Sequence, residues 1–230
     1  MKTTLLDAFL CTLSLTILLL ISTLTVHYLP TSGIYQPLLD LSAFLFFYGT
    51  YTALLLALFR RFYPYPRGRF KTTSHEFTYW KINAVLVDLG FKALSPFRTV
   101  FTEPLIQKSF GASINKQIAI AGILRDHPLL ELKDYCTIGQ NSIISGHMIV
   151  RDEIILEPVQ IGKGAVIGAN SIVMPGVTIG DHAVLAPGSI AMTGARIPAG
   201  ELWSGSPARR RRTLPEMEPA DNTPDNHNSN

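Results

Sequence analysis

The hydrophobic positions of this chain fall into three stretches with different spacing. Two long apolar runs come first, Leu5 to Leu29 and Pro37 to Phe59. Apolar residues at helical spacing follow between Ser74 and Phe110. After that, aliphatic residues recur at every sixth position, as in "IGKGAVIGANSIVMPGVTIGDHAVLAPGSI". Helices repeat at 3.6 residues and strands at 2, so a period of six indicates a chain that turns after each short strand.

The six-residue period predicts a stack of triangular coils. A small residue follows most leading aliphatic positions four places later, and glycine or asparagine, which tolerate the positive φ of a sharp turn, lies between them. The leading positions are Ile161, Ile167, Val173, Ile179, Leu185, Ala191 and Ile197, and the small ones are Ala165, Ser171, Val177, Ala183, Ser189 and Ala195. Three such strands complete one coil of a hexapeptide parallel β-helix with its aliphatic side chains inside.

The same period runs earlier in a different phase, and the two phases do not match. Its leading positions are Ile114, Ile120, Leu132, Ile138, Ile144 and Val150, with Asp126 as the one misfit. Ile144 and Ile161 are 17 residues apart instead of 18, and the intervening "GHMIVRDEIILEPVQ" is charged. Because loops on a rigid scaffold often carry function, we expect a loop to leave the coil near His147. Cys136 falls on a small corner position and is interpreted as structural.

The start of the chain predicts a transmembrane hairpin. Each apolar run is close to the roughly 20 residues that cross a bilayer as a helix. A signal peptide is one alternative for the first run, but the run contains Asp7, begins with little positive charge and has no small-x-small cleavage site. Two buried helices of a soluble protein are the other alternative. The cluster that follows, Arg60, Arg61, Arg67, Arg69 and Lys71, favours a multi-pass protein of the cytoplasmic (inner) membrane with both termini and all of the chain after Phe59 in the cytoplasm.

The predicted fold class is therefore mainly β, a parallel β-helix preceded by a transmembrane helical hairpin and short amphipathic helices. The predicted units are residues 1–60 for the hairpin, 61–110 for juxtamembrane amphipathic helices, 111–208 for the β-helix and 209–230 for a basic run and disordered tail. The amphipathic helices suit either the membrane surface or a cap on the first coil. The Arg209–Arg212 run could bind the phosphates of a cofactor, lie on anionic lipid or simply be solvated.

The net charge, the cysteines and the histidines argue against several classes of partner and binding site. The formal net charge is +3 in 230 residues, which is too small an excess to indicate a nucleic-acid partner. The two cysteines indicate no disulfide framework, and no Cys/His spacing of a zinc site occurs. A β-helix can also hold zinc through three histidines, as in gamma-type carbonic anhydrases, but the closely spaced histidine pair of that site is missing. The sequence therefore predicts no metal.

His147 is the candidate catalytic residue. A neutral imidazole accepts a proton near neutral pH and returns it later. If Ile144 stacks below Ile161, His147 falls in one column with Gly164 and His182, with open space at the glycine. Asp152 or Glu153 is expected to fix the imidazole tautomer, although a backbone carbonyl would also serve. An exposed loop histidine is the alternative; His182 is interpreted as a solvated turn residue and His127 as structural.

Three quoted segments carry a resemblance. "ISGH", "PVQIGKGAVIGANSIVMPGVTIGDHAVLAPGSI" and "IPAGELWSGSPARRRR" resemble the hexapeptide-repeat acyltransferases, which often end in Gly-x-Pro-Ala-Lys/Arg after the last coil. The likeness covers roughly residues 111–212. More loosely, "YPRGRF" and "YWKINAVLVDLG" resemble the membrane-linked C-terminal regions of nonribosomal-peptide-synthetase-like proteins, including the poly-lysine synthase type.

The resemblance implies function, assembly and winding. It implies a left-handed coil, a homotrimer with sites between subunits, and a histidine base at His147. It implies acyl-CoA as a co-substrate, with no permanently bound cofactor, and transfer of an acyl group, expected to be acetyl, to a hydroxyl or amine. Ser189, Arg196 and Arg209, with Gly164, are expected near the donor. The hairpin departs from the mostly soluble family and suggests membrane lipid as a partner, with either a lipid-linked or membrane-delivered acceptor or docking to a membrane protein. A non-catalytic trimeric membrane scaffold, or a subunit of a peptide-synthetase-like assembly, is the alternative.

Overall fold

The computed structural model describes residues 5–29 and 32–215, and its chain begins with a helical hairpin. Helix α1 spans Leu5–His27 and helix α2 spans Gln36–Phe62. Both are long and apolar enough to cross a membrane, and only 11% and 28% of their most apolar windows are buried. The predicted pair of helices is confirmed, while their insertion in a membrane stays a prediction. The predicted disordered tail falls largely on residues 216–230, which lie outside the described residues.

Two further helices connect the hairpin to the coil. Helix α3, His75–Leu94, starts where the Ser74 hydroxyl accepts a hydrogen bond from the Phe77 amide. A 3₁₀ turn, Ser95–Phe97, and helix α4, Glu103–Ser109, follow. Both α3 and α4 pack against α2, and the Phe110 ring after α4 packs against Gly90 of α3. These helices therefore lie between the hairpin and the first coil, in agreement with the capping alternative.

The coil has three flat faces, each a parallel sheet of very short strands. The first face contains β2 (Ser113–Ile114), β5 (Leu130–Leu132), β10 (Val159–Ile161), β13 (Thr178–Ile179) and β16 (Arg196–Ile197). The second contains β3 (Ala119–Ile120), β6 (Thr137–Ile138), β11 (Val166–Ile167), β14 (Val184–Leu185) and β17 (Glu201–Ser204). The third contains β4 (Ile123–Arg125), β7 (Ile143–Ser145), β12 (Ile172–Val173) and β15 (Ile190–Ala191). The predicted parallel β-helix is confirmed; its left-handed winding stays an inference from the resemblance.

The leading aliphatic residues form the core of the coil. Ile161, for example, pairs with Leu132 on one side and Ile179 on the other, and all three are buried. Cys136 is 1% exposed, and burial raises the pKa of its thiol to about 12, as expected of a structural residue. Successive coils approach closely at Gly162, where an added Cβ would lie 2.6 Å from the Asp181 amide nitrogen. Only glycine fits there, because backbone occupies the space that a side chain would need.

The predicted loop near His147 is a β-hairpin that leaves the coil. Strands β8 (His147–Val150) and β9 (Glu153–Leu156) pair antiparallel, and β1 (Gly68–Lys71) adds a third strand on the other side of β9. The hairpin shifts the register of the stack. Ile144 pairs with Val173, not with Ile161, so the assumed column of His147, Gly164 and His182 is wrong.

The end of the coil is closed by the basic run. Strand β18 (Arg209–Thr213) folds back antiparallel on β17. Ala208 is buried, and its amide donates to the Ile190 carbonyl of the preceding coil. The predicted basic run is therefore part of a strand, which ends at Thr213 before the predicted tail begins.

Candidate functional site

The hairpin places His147 beside a carboxylate from the coil below. His147 Nδ1 lies 2.5 Å from the Oδ2 atom of Asp126, and the Ser145 hydroxyl lies 3.2 Å from the same nitrogen. Asp126 follows β4 and has a φ of 59°, the left-handed conformation that the chain adopts at coil corners. His147 follows β7, which pairs directly with β4. Two consecutive corners of the stack thus bring the two side chains together. We call them the Asp126–His147 pair.

Asp126 is held in place by two further donors. Trp80 Nε1 donates to its Oδ1 atom at 2.8 Å, and the Tyr65 hydroxyl donates to the same oxygen at 3.3 Å. Burial would raise the pKa of Asp126, but its hydrogen bonds and the charge of His147 hold that pKa below the usual value. Burial and the Asp126 charge raise the pKa of Tyr65 well above its ordinary value, so the phenol stays a donor. The carboxylate is therefore ionised and fixed in orientation.

The imidazole is oriented but remains accessible. The Trp80 ring packs against it with ring centroids 4.8 Å apart. The His147 side chain is 28% exposed, whereas that of Asp126 is 5% exposed. Because Nδ1 faces the carboxylate, it carries the proton of the neutral ring and Nε2 presents a lone pair. Within residues 5–29 and 32–215, Nε2 has no hydrogen-bond partner. This arrangement suits a general base.

The pair lies at one end of a cavity of about 550 Å³, which we call the α3 cavity. One wall is a face of α3 from Trp80 to Ser95, and the opposite wall is β4 with the residues that flank it. Phe91 and the Asp88–Lys92 ion pair lie along the α3 wall. The size is typical of a small-molecule site. A base at the end of such a cavity can act on a group that the cavity holds.

Asp152 and Glu153 do not orient His147. They lie at the turn of the β8–β9 hairpin, and both are exposed. Glu153 pairs with Val150 and with Lys71 of β1, whereas His147 pairs with Leu156 at the other end of the hairpin. The expectation that one of them fixes the tautomer is wrong, because the pairing register places both at the opposite end of the hairpin from His147. Asp126 has that role in the structure.

Gly164 and Ser189 are also placed differently from the expectation. Gly164 has a φ of 63°, and an added Cβ would lie 2.6 Å from His182 Nδ1, so it stacks on His182 and not beside His147. His182 has a φ of 57°, which agrees with its interpretation as a turn residue. Ser189 is 1% exposed, and its hydroxyl accepts from the Gly205 amide. Ser189 therefore belongs to the interior corner of the coil and cannot line an open channel.

Arg196 and Arg209 lie on the outer surface of the last coils. Both are exposed. Arg196 is on β16, which lies two strands beyond β10 in the stack, about 10 Å at the usual strand spacing. Arg209 begins β18 and pairs with Ser204. They are separated from His147 along the stack and do not contact the Asp126–His147 pair.

His127 is buried next to the pair and has a different role. Its Nε2 atom lies 2.6 Å from Gln107 Oε1, and the Phe91 ring stacks on it with centroids 4.9 Å apart. Burial lowers the pKa of His127 to about 3, so the ring is neutral. This agrees with its structural interpretation. Among the described residues, no group of three or more His, Cys, Asp or Glu side chains is arranged to hold a metal ion.

Sequence reasoning missed Asp126, Trp80 and Tyr65. A signal for Asp126 was present, because it is the one polar residue at a leading position of the earlier phase. Trp80 and Tyr65 precede the coil by many residues, and the sequence carries no signal that brings them to a coil corner.

A family model matches part of the coil, and several solved structures are similar to this chain. Residues 158–190 match the family model "Bacterial transferase hexapeptide (six repeats)". A hexapeptide-repeat-containing acetyltransferase from Vibrio cholerae is 20% identical, with a TM-score of 0.49 over 65% of this chain and 97% of that one. A galactoside acetyltransferase in complex with coenzyme A is 22% identical, with a TM-score of 0.46 over 64% and 86%. A maltose O-acetyltransferase from Clostridium difficile 630 is 19% identical, with a TM-score of 0.42 over 65% and 94%. No curated protein matches.

Proposed function

We propose that this protein is an acyl-CoA-dependent acyltransferase in which His147 is the general base and Asp126 orients it. The observation that carries the proposal is the Asp126–His147 pair, which fixes Nδ1 and leaves Nε2 open at the end of the α3 cavity. The match of residues 158–190 to a transferase family model supports the same reaction class. The acyl group, acetyl in this proposal, passes to a hydroxyl or an amine.

The reaction needs one proton carrier. The acceptor O–H or N–H gives its proton to His147 Nε2 as its oxygen or nitrogen attacks the thioester carbonyl. The carbon–sulfur bond of the tetrahedral intermediate then breaks, and the proton on Nε2 passes to the departing sulfur. The products are the acylated acceptor and free coenzyme A, and His147 returns to its neutral form. The Asp126 carboxylate stabilises the imidazolium that exists between the two transfers.

The donor would lie along the outer surface of the coil. Arg196 and Arg209 are exposed cations on the last coils. Their proposed role is to bind the phosphates of acyl-CoA, which is a co-substrate and not a resident cofactor. Neighbouring copies in a homotrimer would complete the cleft. Gly164 and Ser189 contribute to the coil itself.

The proposed location is the inner membrane, with the coil on the cytoplasmic side. The outward apolar faces of α1 and α2 and the basic residues after α2 support it. Acyl-CoA is available on that side, and membrane lipid would be in direct contact with the hairpin.

The test uses the full chain in detergent or lipid discs. Transfer of label from radioactive acetyl-CoA into extracts of the producing cells is measured for the wild type and for His147→Gln. We expect a loss of about 10²–10⁴-fold in rate with unchanged elution volume and thermal stability. His75→Gln, at an exposed histidine outside the site, is the matched control. Full transfer by His147→Gln would contradict the proposal, and absence of transfer by the wild type would favour a non-catalytic scaffold.

A further inference from the structure

The α3 cavity is elongated and follows one face of α3. Trp80, Ala84, Val87, Phe91 and Ser95 line it at intervals of three or four residues, which is the spacing of a single helix face. From Trp80 to Ser95 this face is about 22 Å long, at about 1.5 Å per residue. The Asp126–His147 pair lies at the Trp80 end, and Arg98 lies at the Ser95 end. The cavity lining therefore extends from His147 to the solvent-exposed Ser95 and Arg98 at its distant end.

The distant end reaches the level of the candidate membrane span. Lys81, near the Trp80 end, forms an ion pair with Asp7 in the first turn of α1. At the other end, Leu94 packs directly on Gly49 of α2, and the ring centroids of Phe97 and Phe46 are 5.5 Å apart. Gly49 precedes the end of α2 by 13 residues, about 20 Å along the helix. The cavity thus runs alongside α2 from its last turns to the middle of the apolar helix.

The surface beside the distant end is apolar. Val100, Phe101 and Leu105 follow Arg98 and are 77%, 88% and 68% exposed. Leu105 and the exposed Leu54 of α2 line a common apolar groove of about 420 Å³. The apolar surface of the hairpin therefore continues onto the segment that borders the cavity opening. A continuous apolar surface of this kind is characteristic of a membrane contact.

The inside of the cavity is mixed in character. Trp80 and Phe91 present aromatic rings, the buried Asn83 presents a polar group, and the solvent-exposed Asp88–Lys92 pair, with 2.7 Å between Nζ and Oδ2, adds charges at the edge. Arg98 lies over the Phe91 ring at 5.4 Å and forms a two-bond ion pair with Glu103. Such a lining suits a polar headgroup with hydroxyl or amino groups better than it suits a bare hydrocarbon chain. An amphiphile would satisfy both the polar interior and the apolar rim.

We infer that the α3 cavity binds the headgroup of a membrane-borne acceptor, a lipid-linked compound with a free hydroxyl or amine. Its apolar part stays in the bilayer beside Val100, Phe101 and Leu105, and its headgroup enters past Arg98 and extends towards His147. The inference rests on the proposed acyltransferase function and adds the class of acceptor and the route by which it arrives. A lipid-linked acceptor gives the hairpin a function beyond attachment, because it holds the cavity opening at the bilayer.

The experiment supplies the same enzyme with acceptors from two sources. The full chain in lipid discs receives radioactive acetyl-CoA and either total membrane lipid reconstituted in the discs or the aqueous metabolite extract of the same cells. Label is then counted in organic-phase and aqueous products. We expect label in organic-phase products of the lipid arm. Label confined to the aqueous arm and dependent on His147 would overturn the inference and leave the proposed function intact.

Two bulky substitutions test the route itself. Ala84→Trp fills the middle of the cavity, whereas Val85→Trp, at the next residue, points outside its lining and is the matched control. We expect the initial rate of lipid labelling to fall at least about tenfold in Ala84→Trp and to change less than about twofold in Val85→Trp. Acetyl-CoA binding by equilibrium dialysis should be unchanged in both. Unchanged lipid labelling in Ala84→Trp would contradict the route.

A second variant decides the case if Ala84→Trp misfolds. Ile123→Trp fills the cavity from the opposite wall, on β4, and must reproduce the loss. Failure of the proposed function has a different result: His147→Gln then transfers label as fast as the wild type in both arms, or no arm is labelled.

Discussion

Asp126→Asn tests the role of the carboxylate with little change in shape. The amide oxygen that this substitution introduces still accepts the hydrogen bonds from Trp80 and Tyr65, which reach Asp126 Oδ1 at 2.8 and 3.3 Å. The amide nitrogen then faces His147 Nδ1 and donates to it. Nδ1 must therefore become a hydrogen-bond acceptor, and the proton of the neutral ring moves to Nε2. Nε2 is the atom that has to take the proton from the hydroxyl or amine substrate.

The expected magnitude follows from this tautomer change. A positioned general base contributes about 10²–10⁴-fold, and a base held in the wrong tautomer loses most of that factor. The cost in stability is small for Asp126→Asn, because both buried donors keep a partner. Asp126→Ala leaves them unsatisfied at about 1–3 kcal/mol each, so that variant should also lose thermal stability.

The assay is the initial rate of acetyl transfer at saturating acetyl-CoA, with thermal unfolding measured on the same samples. We expect kcat of Asp126→Asn to fall by at least about 10²-fold while its Tm stays within a few degrees of the wild type. A variant that keeps kcat within about twofold of the wild type would refute the reasoning. The Asp126–His147 contact would then be structural only.

Three further predictions concern stability. Burial lowers the pKa of His127 to about 3 from its ordinary 6.5, so between these pH values the unfolded state binds a proton that the folded state does not. The free energy of unfolding should therefore fall as the pH drops below about 6.5, by up to about 1.4 kcal/mol per pH unit. His127→Phe should make this dependence on pH weaker in thermal unfolding scans. Lys81→Met removes a cation that is ion-paired with the buried Asp7 carboxylate and should lower the free energy of unfolding by at most about 3–5 kcal/mol, whereas the double replacement Asp7→Leu/Lys81→Met should cost less; equal losses in denaturant unfolding would contradict this. Gly162→Ala forces two coils apart and should lower the free energy of unfolding by about 1–3 kcal/mol. Gly188→Ala should lower it less, because the space there is open and only the φ of 68° is strained; the reverse order of Tm values would contradict the close approach of the coils at Gly162.

The repeat was predictable from the sequence because it is a local property. The leading residues Ile161, Ile167 and Val173 are identifiable by spacing alone, and each is buried on the face that the period predicts. The hairpin near His147 was predictable as a break in that period. Its shape was not, since nothing in the sequence indicates that "EIIL" pairs with Gly68–Lys71 from before the coil.

The site was only partly predictable because it depends on stacking. His147 was identifiable as a histidine at the break, but its partner depends on which corner lies below it. The pairing of β4 with β7 places Asp126 beside His147, whereas the hairpin shifts the next coil so that Gly164 is not in the column of His147 and leaves Asp152 and Glu153 at the hairpin tip. Long-range contacts of this kind are fixed by three-dimensional register and not by spacing along the chain.

The most direct measurement is an experimental structure of the full chain with bound coenzyme A. We expect the thiol sulfur to lie within about 4–5 Å of His147 Nε2, close enough for direct proton transfer or transfer through one water, with Asp126 still hydrogen-bonded to Nδ1. A thiol located away from His147, or an imidazole turned from Asp126 into the coil interior, would contradict it.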